Sequence, residues 1–293
     1  MELQLNPLQA PEIWMPTTIE EAVSLKKQLG QYSSYVAGAT LLQLRWQKAQ
    51  AMPPHLINLE QITQLHDYQL NENTLTIGAL TKLSTLRFDP QIKNAYPALV
   101  NAIQSIAAPA VRNRGTVGGN IMGGEGDLIP LLLAMQAKMT FLYEDGLKTI
   151  DMSEWLKNRD ADALLVKVNI SAPSQAFYKK IGRRETFTAA IVTVSGQIAY
   201  TDTLAIDQLT LAIGGGGNPP LRLTKTEQYM INKTIQQIDW KHVYESILDE
   251  YRPASDAFVT SNYKKKVAAN LIISEMQRLW NTQIQREVHV HEM

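Results

Sequence analysis

The 293-residue chain contains no cysteine. That absence excludes disulfides, thiolate nucleophiles, Cys-ligated zinc and any iron–sulfur cluster held by this chain through thiolates. A surplus of charge is missing too: 28 basic side chains meet 28 acidic ones, for a formal net charge of zero. A general nucleic-acid binder or a protein drawn to anionic membranes needs an excess of Lys and Arg, so neither role is expected. Long hydrophobic runs are also absent. The longest, Leu128–Met135, falls far short of the roughly 20 residues that span a bilayer, so no membrane insertion is expected. Met1–Ala10 shows no basic start leading into an apolar stretch, so no secretory signal is visible and a cytoplasmic protein is expected. No internal repeat or low-complexity tract occurs. No G-x-G-x-x-G follows a strand and no G-x-x-x-x-G-K-[ST] is present, which leaves a nucleotide to be held by some other fold.

What is present suits two domains, each with its own core, at roughly 150 residues per domain. Pro16-Thr17-Thr18-Ile19-Glu20 predicts a helix start, with Thr17 as cap and Glu20 completing a capping box. Ile19, Ala22, Val23 and Leu29 follow near helical spacing up to Gly30. A short strand over Tyr35–Ala37 leads through Gly38-Ala39-Thr40 into a second helical stretch bearing Leu41, Leu42, Leu44 and Trp46. His55–Leu59 and Thr74–Gly78 read as strands, and Pro97–Ala108 as a helix closed by Pro109. Arg112–Asn120 reads as a polar, glycine-rich loop, followed by Gly123, Gly124 and Gly126. Beyond it come an apolar helix (Leu128–Met135), a strand (Lys138–Tyr143) and the turn Glu144-Asp145-Gly146. Further β segments cover Leu164–Ile170, Phe177–Ile181, Ala189–Ile198 and Leu211–Gly214, and a long helix covers Ser261–Trp280. A boundary falls near Ser171–Gln175, and the class is α+β.

Chemistry concentrates at two small-residue segments. In Thr116–Asn120 the glycines let backbone amides approach a ligand, so the segment reads either as an anion-binding nest or as a tight turn. Val36–Thr40, about 80 residues earlier, lies between a strand and a helix. Helix N-termini favour phosphate, and two such loops could grip one diphosphate from both sides. Arg112 and Arg114 read as phosphate contacts or as braces of the loop; Arg183 and Arg184 as partner contacts or a solvated pair; Gly214–Gly217 as a turn. His289 and His291 have alternating spacing but sit at a terminus prone to fray. No residue is assigned a catalytic or metal-binding role.

Several segments carry a family resemblance: Ala37-Gly38-Ala39-Thr40, Ile77-Gly78-Ala79, Ser105 through Asn120, Asp127 through Ala134, and Tyr178-Lys179-Lys180-Ile181-Gly182-Arg183-Arg184. More weakly, Ala254-Ser255 and Tyr263-Lys264 continue it. With these the sequence resembles the FAD-binding medium subunits of molybdenum hydroxylases, of the xanthine dehydrogenase-like and carbon monoxide dehydrogenase-like kinds. The resemblance implies a vanillyl-alcohol oxidase / p-cresol methylhydroxylase-type FAD-binding domain of two α/β subdomains over residues 1–172. It implies a smaller α+β C-terminal domain over residues 173–293. It further implies FAD, its diphosphate held by Tyr35, Val36, Ala37, Gly38, Ala39, Thr40, Leu41 and Leu42 and by Thr116, Val117, Gly118, Gly119 and Asn120. Ile106 would lie against the flavin and Asp127 near the ribityl or ribose hydroxyls, with Leu164 and Lys179 as further flavin contacts. The implied partners are a small [2Fe–2S] subunit and a large molybdopterin subunit. The implied task is to take electrons from the clusters and pass them to NAD⁺ or another acceptor, with purine (xanthine) oxidation the first expectation for the complex.

Two departures stand out. The stretch after Asn120 is about two residues shorter than the commoner family form, which makes Glu125 a competitor of Asp127. Ala39 stands where a second glycine is usual. Two other readings stay open at this level. One is a self-sufficient flavin reductase of the UDP-N-acetylenolpyruvoylglucosamine reductase type, comparable at Arg112-Asn113-Arg114-Gly115; the other is a binding protein whose loops hold no FAD.

Overall fold

A computed structural model describes residues 10–48, 50–160, 162–184 and 189–291, with side chains up to residue 285. The chain opens with β1 (Glu12–Trp14), α1 (Ile19–Leu29), β2 (Ser33–Val36), α2 (Thr40–Gln47) and β3 (His55–Asn58). Next come β4 (Tyr68–Asn71), β5 (Thr74–Gly78), α3 (Leu83–Phe88), α4 (Pro90–Ala95), α5 (Pro97–Ser105), α6 (Pro109–Arg114), α7 (Val117–Met122) and α8 (Ile129–Ala134). The middle holds β6 (Lys138–Tyr143), β7 (Gly146–Asp151), α9 (Met152–Trp155) and β8 (Leu164–Ser171). The last part holds β9 (Gln175–Gly182), β10 (Ala190–Tyr200), β11 (Ile206–Gly215), β12 (Asn218–Arg222), α10 (Thr224–Met230), α11 (Trp240–Glu250) and α12 (Ser261–His291).

These elements form two compact units that interleave in sequence. The first comprises Met1–Asp89, Ala108–Gly126 and Ala137–Ile170; the second comprises Pro90–Ala107, Asp127–Gln136 and Ser171–Met293.

The first unit holds a parallel three-stranded sheet, β1-β3-β2, and a five-stranded sheet, β4-β5-β8-β6-β7. Ile19 and Ala22 of α1 join Ile57, Leu59, Ile62, Leu65, Leu80 and Leu164 in one apolar core. The helix starts one residue later than Thr17 and Glu20 suggest. Thr18 caps it, its Oγ1 accepting from the Glu21 amide at 3.1 Å, and the Glu21 carboxylate accepts from the Thr17 amide at 2.8 Å. Two adjacent threonines offer two caps, and this one places Ile19, Ala22 and Lys26 on the single face that is buried. The Lys26 stem lies in that face while its ammonium donates to the carbonyls of Gly30 and Ser33 and pairs with Asp162 at 3.0 Å. Gly30 ends the helix at φ 55, as its position suggests.

The second unit is built on the antiparallel sheet β12-β11-β10-β9. Val192, Val194, Ile198, Leu209, Leu211 and Ile213 of this sheet pack with Ala268, Ile272 and Met276 of α12. Gly215, Gly216 and Gly217 all have positive φ, at 88, 64 and 71, and form the turn from β11 to β12. Only glycine makes three such residues in a row without steric cost. Pro219 and Pro220 follow within β12, where an edge strand tolerates the missing amide donors.

Two expectations about Pro97–Asn120 are corrected. The helix expected over Pro97–Ala108 stops at Ser105, and Ala107 takes a left-handed φ of 38. Pro109 does not close that helix but opens α6 as its first residue, where no amide donor is needed. Arg112–Asn120 is not a loop either, since it spans the end of α6, the Gly115-Thr116 junction and the start of α7. Among the described residues no helix is long and apolar enough to cross a membrane.

Candidate cofactor site

In the first unit, β2 ends at Val36 and the chain turns through Ala37-Gly38-Ala39 into α2. Ala39 sits at φ 57, ψ 5, in the left-handed region, and helical Thr40 follows. A left-handed residue before a right-handed one turns successive N–H groups toward a common point, the geometry of an anion nest. No side chain caps α2, its first turn has no acidic residue, and the Ala39, Thr40, Leu41 and Leu42 amides meet no acceptor among the described residues. Free donors and the positive end of the helix dipole together make a phosphate seat.

Ala39 holds its conformation under strain, because an L-residue in that region loses about 1–2 kcal/mol relative to the right-handed helix. Ala39→Gly should therefore stabilise the ligand-free protein by about 1 kcal/mol in urea denaturation. A variant less stable than its parent would show that Ala39 is not strained. Gly38 is fixed by close approach instead. A Cβ there would run into the Arg114 carbonyl oxygen and lie 2.6 Å from the Arg114 carbonyl carbon.

Thr116–Asn120 is shaped differently from the open nest that its glycines suggest. Thr116 caps α7, its Oγ1 accepting from the Gly119 amide at 3.0 Å. The Val117 amide donates to Thr81 O at 3.0 Å and the Gly118 amide to Ala79 O at 2.8 Å. The Asn120 amide donates to Thr116 O at 3.0 Å, so four amides of the motif are spent inside the protein. Gly118 lacks a Cβ because one would lie 2.7 Å from Ala79 O and 2.8 Å from Ala79 Cβ. The motif ties α7 to the segment after β5, and its junction with α6 supplies the surface against which Gly38 packs.

The remaining first-unit candidates divide. The Leu164 side chain is buried in the core and paired in register with Leu142. Tyr35 packs on the same core with its hydroxyl buried and without a hydrogen-bond partner among the described residues. Burial, then Asp162 and Asp160, push the Tyr35 phenol above its ordinary pKa. Glu125 is exposed.

In the second unit, Lys180 of β9, the neighbour of Lys179, is the organising residue. The Lys180 ammonium lies 2.6 Å from Asp127 Oδ2 and donates to Ser105 O at 3.0 Å. Tyr178, two residues back and on the same face, places its hydroxyl 3.1 Å from Ser105 Oγ, which donates to Ala102 O at 2.7 Å. Burial, reinforced by Asp127, pushes the Tyr178 phenol upward. Ile106, buried at 6% exposure, follows Ser105 directly. Lys180 therefore joins the Ile106 turn to Asp127. Lys179 faces the other way, its ammonium 3.3 Å from Glu275 Oε1 of α12, as strand alternation requires. Gly214–Gly217 and the Arg183–Arg184 pair stand apart from this network; Arg183 covers the Phe258 ring at 4.1 Å. The side chains of His289 and His291 lie outside the described residues. Among the described residues no group of three or more His, Asp or Glu side chains could hold a metal ion.

The turn at Ala39–Leu42 is thus a candidate phosphate seat in an α+β chain that carries neither a Rossmann nor a P-loop sequence. Residues 7–173 match the family described as the FAD binding domain in molybdopterin dehydrogenase, and residues 176–279 match the CO dehydrogenase flavoprotein C-terminal domain. The chain belongs to the FAD-binding subunits of the molybdenum hydroxylase family.

Its relatives include the carbon monoxide dehydrogenase medium chain of Hydrogenophaga pseudoflava, 25% identical over 281 residues that cover 92% of this chain and 96% of the relative. The nicotinate dehydrogenase FAD-subunit of Eubacterium barkeri is 25% identical over 243 residues, covering 76% and 80%. The xanthine dehydrogenase/oxidase of Gallus gallus is 26% identical over 237 residues, covering 73% of this chain and 17% of the relative. The same fold occurs in a carbon monoxide dehydrogenase structure from Hydrogenophaga pseudoflava, with TM-score 0.83 at 24% identity, covering 90% of this chain and 95% of that one. The protein is thus an oxidoreductase subunit with FAD as its cofactor, and the self-sufficient reductase and cofactor-free readings are set aside. The donor set at α2 fits that cofactor, since unpaired amides at a helix start suit a diphosphate.

Proposed function

We propose that this chain carries FAD between the [2Fe–2S] clusters of a small partner subunit and NAD⁺ or another acceptor. The assembly would include a large molybdopterin subunit, with the chain's FAD-binding part over residues 1–172 and its C-terminal domain over 173–293. The observation that carries the cofactor reading is the turn at Ala39–Leu42, where four consecutive amides lack an acceptor among the described residues. These amides hold the diphosphate, and Gly38 lets the turn sit tightly enough to aim them. The Arg114–Gly115 junction that leads into Thr116–Asn120 backs that turn at Gly38, and the motif contributes to the site through this support. Asp127 keeps the role of hydroxyl acceptor, oriented by Lys180, and Ile106 keeps the flavin contact that the resemblance implies, while Lys179, on the opposite face of β9, pairs with Glu275 instead. FAD supplies chemistry that amino acids lack, accepting electrons singly and releasing them as a pair.

The partner reading is supported by the chain's lack of cysteine, because clusters of the expected kind must then be ligated elsewhere. The relatives named for carbon monoxide, nicotinate and xanthine share this type of chain. Their variety supports a substrate chosen by another polypeptide, with a purine as the first to test. Reconstitution of the purified chain with FAD should leave stoichiometric flavin absorbance after desalting. The assembled complex should bleach that flavin on addition of substrate, and with the small subunit's clusters absent it should not. A desalted chain without flavin contradicts the cofactor assignment, and bleaching without clusters contradicts the electron route.

A further inference from the structure

The shortened segment after Asn120 packs with bare backbone on three different neighbours. A Cβ on Gly123 would lie 2.6 Å from Leu41 Cδ2, one on Gly124 would strike the Arg159 guanidinium, and one on Gly126 would strike Asn120. Gly124 itself takes a left-handed φ of 82. The segment is therefore a strap. At one point it rests on Leu41, in the first turn of α2, and at the next it is held by Arg159.

Arg159 is well suited to hold it. Its Nη2 donates to Gly124 O at 3.0 Å. Its guanidinium lies 5.3 Å from the centre of the Trp155 ring, and Trp155 is 2% exposed and stacked on Phe141. A planar cation spread over a buried aromatic has little freedom to swing, so its hydrogen bond fixes a carbonyl in place. All these groups belong to the first unit, and Arg159 is itself exposed, so replacing it disturbs no core.

We propose that Arg159 is a positioning residue for the cofactor, a latch whose bond to Gly124 O holds the strap against the α2 turn and slows release of FAD. This rests on the reading that the α2 turn binds the FAD diphosphate. The strap restrains Leu41, whose amide is one of the four free donors, so loosening the strap loosens the donors. A charge-assisted hydrogen bond lost from such a support translates into a dissociation rate about tenfold higher or more.

The test is Arg159→Met in the purified FAD-loaded protein, with release followed as the return of free-flavin fluorescence after dilution. Arg159→Lys and the melting temperature of each FAD-free protein are measured alongside. The expected result is release at least about tenfold faster in R159M, partial recovery in R159K, and FAD-free melting temperatures equal to that of the parent. Release at the parental rate overturns the latch while leaving the cofactor reading intact. A fall in FAD-free stability that accounts for the whole change also overturns it, by showing a purely structural role. A parent protein that retains no FAD overturns the underlying reading and the latch together.

Discussion

Gly38→Val should strip the protein of FAD, weakening its binding at least about a hundredfold, because the change displaces the turn that aims the diphosphate donors. The added side chain meets the Arg114 carbonyl, and the Gly115 amide nitrogen lies only 3.2 Å from the new Cβ. Neither neighbour is a flexible side chain that can swing away. The α6–α7 junction is itself held, with the Gly115 amide donating to Val111 O at 2.6 Å and the Leu83 amide to Gly115 O at 3.0 Å. The turn at Gly38 must therefore yield, and Ala39 with its left-handed φ moves with it. Overpacking of this kind removes about 1–3 kcal/mol of stability, so the FAD-free protein should still fold while its affinity collapses. Fluorescence titration with FAD and a thermal melt of the FAD-free protein separate the two effects. A G38V protein that folds and binds FAD as tightly as its parent would show that the diphosphate sits elsewhere.

Lys180→Met should destabilise the chain by about 3 kcal/mol, whereas Lys179→Met should change it by no more than about 1 kcal/mol. At position 180 the side chain is 6% exposed and that of its partner Asp127 18% exposed. Removing the cation leaves a mostly buried carboxylate without its counter-charge and the Ser105 carbonyl without a donor. Breaking one side of a buried pair typically removes 3–5 kcal/mol, and the partial exposure of Asp127 argues for the lower end. At position 179 the side chain is half exposed, and Glu275 keeps a second partner in Arg278 at 2.8 Å. A loss of 3 kcal/mol should lower the melting temperature by roughly 6–12 °C. Adding Asp127→Asn to K180M should restore part of the loss, because a neutral amide needs no cation. Equal effects at 179 and 180 would overturn the assignment of the two lysines to opposite faces.

Much of the architecture was legible because local chemistry and tertiary structure agree. Ile19 and Ala22 mark a helix face, Gly30 stops that helix, and Gly214–Gly217 makes a turn wherever the rest of the chain goes. The errors fall where two residues could do the same local job. Thr17 and Thr18 are equally good caps, and only the burial of Ile19 and Ala22 selects the second. Pro109 can end one helix or begin another, and the left-handed Ala107 just before it decides for beginning. The candidate site divides in the same way. Gly38 and Ala39 were legible as a helix-entry loop, and the structure adds that Ala39 turns four free amides together. Lys180 is not legible as the partner of Asp127, because alternation along β9 defines two faces without saying which of them meets it.

By itself, the sequence determined that this chain holds no thiolate-ligated cluster, that two small-residue motifs matter, and that they resemble those of a flavin subunit. Those conclusions depend on which residues are present and how they are spaced. The tertiary structure decided which backbone donors remain free. Val117 and Gly118 spend their amides on Thr81 and Ala79, residues distant in sequence, whereas Ala39 to Leu42 meet no such acceptor. A glycine looks the same in a sequence whether its missing Cβ makes room for a ligand or for the protein's own backbone. At Gly118 the space belongs to Ala79, and at Gly38 to Arg114. What the motif binds is set by the chain that folds against it.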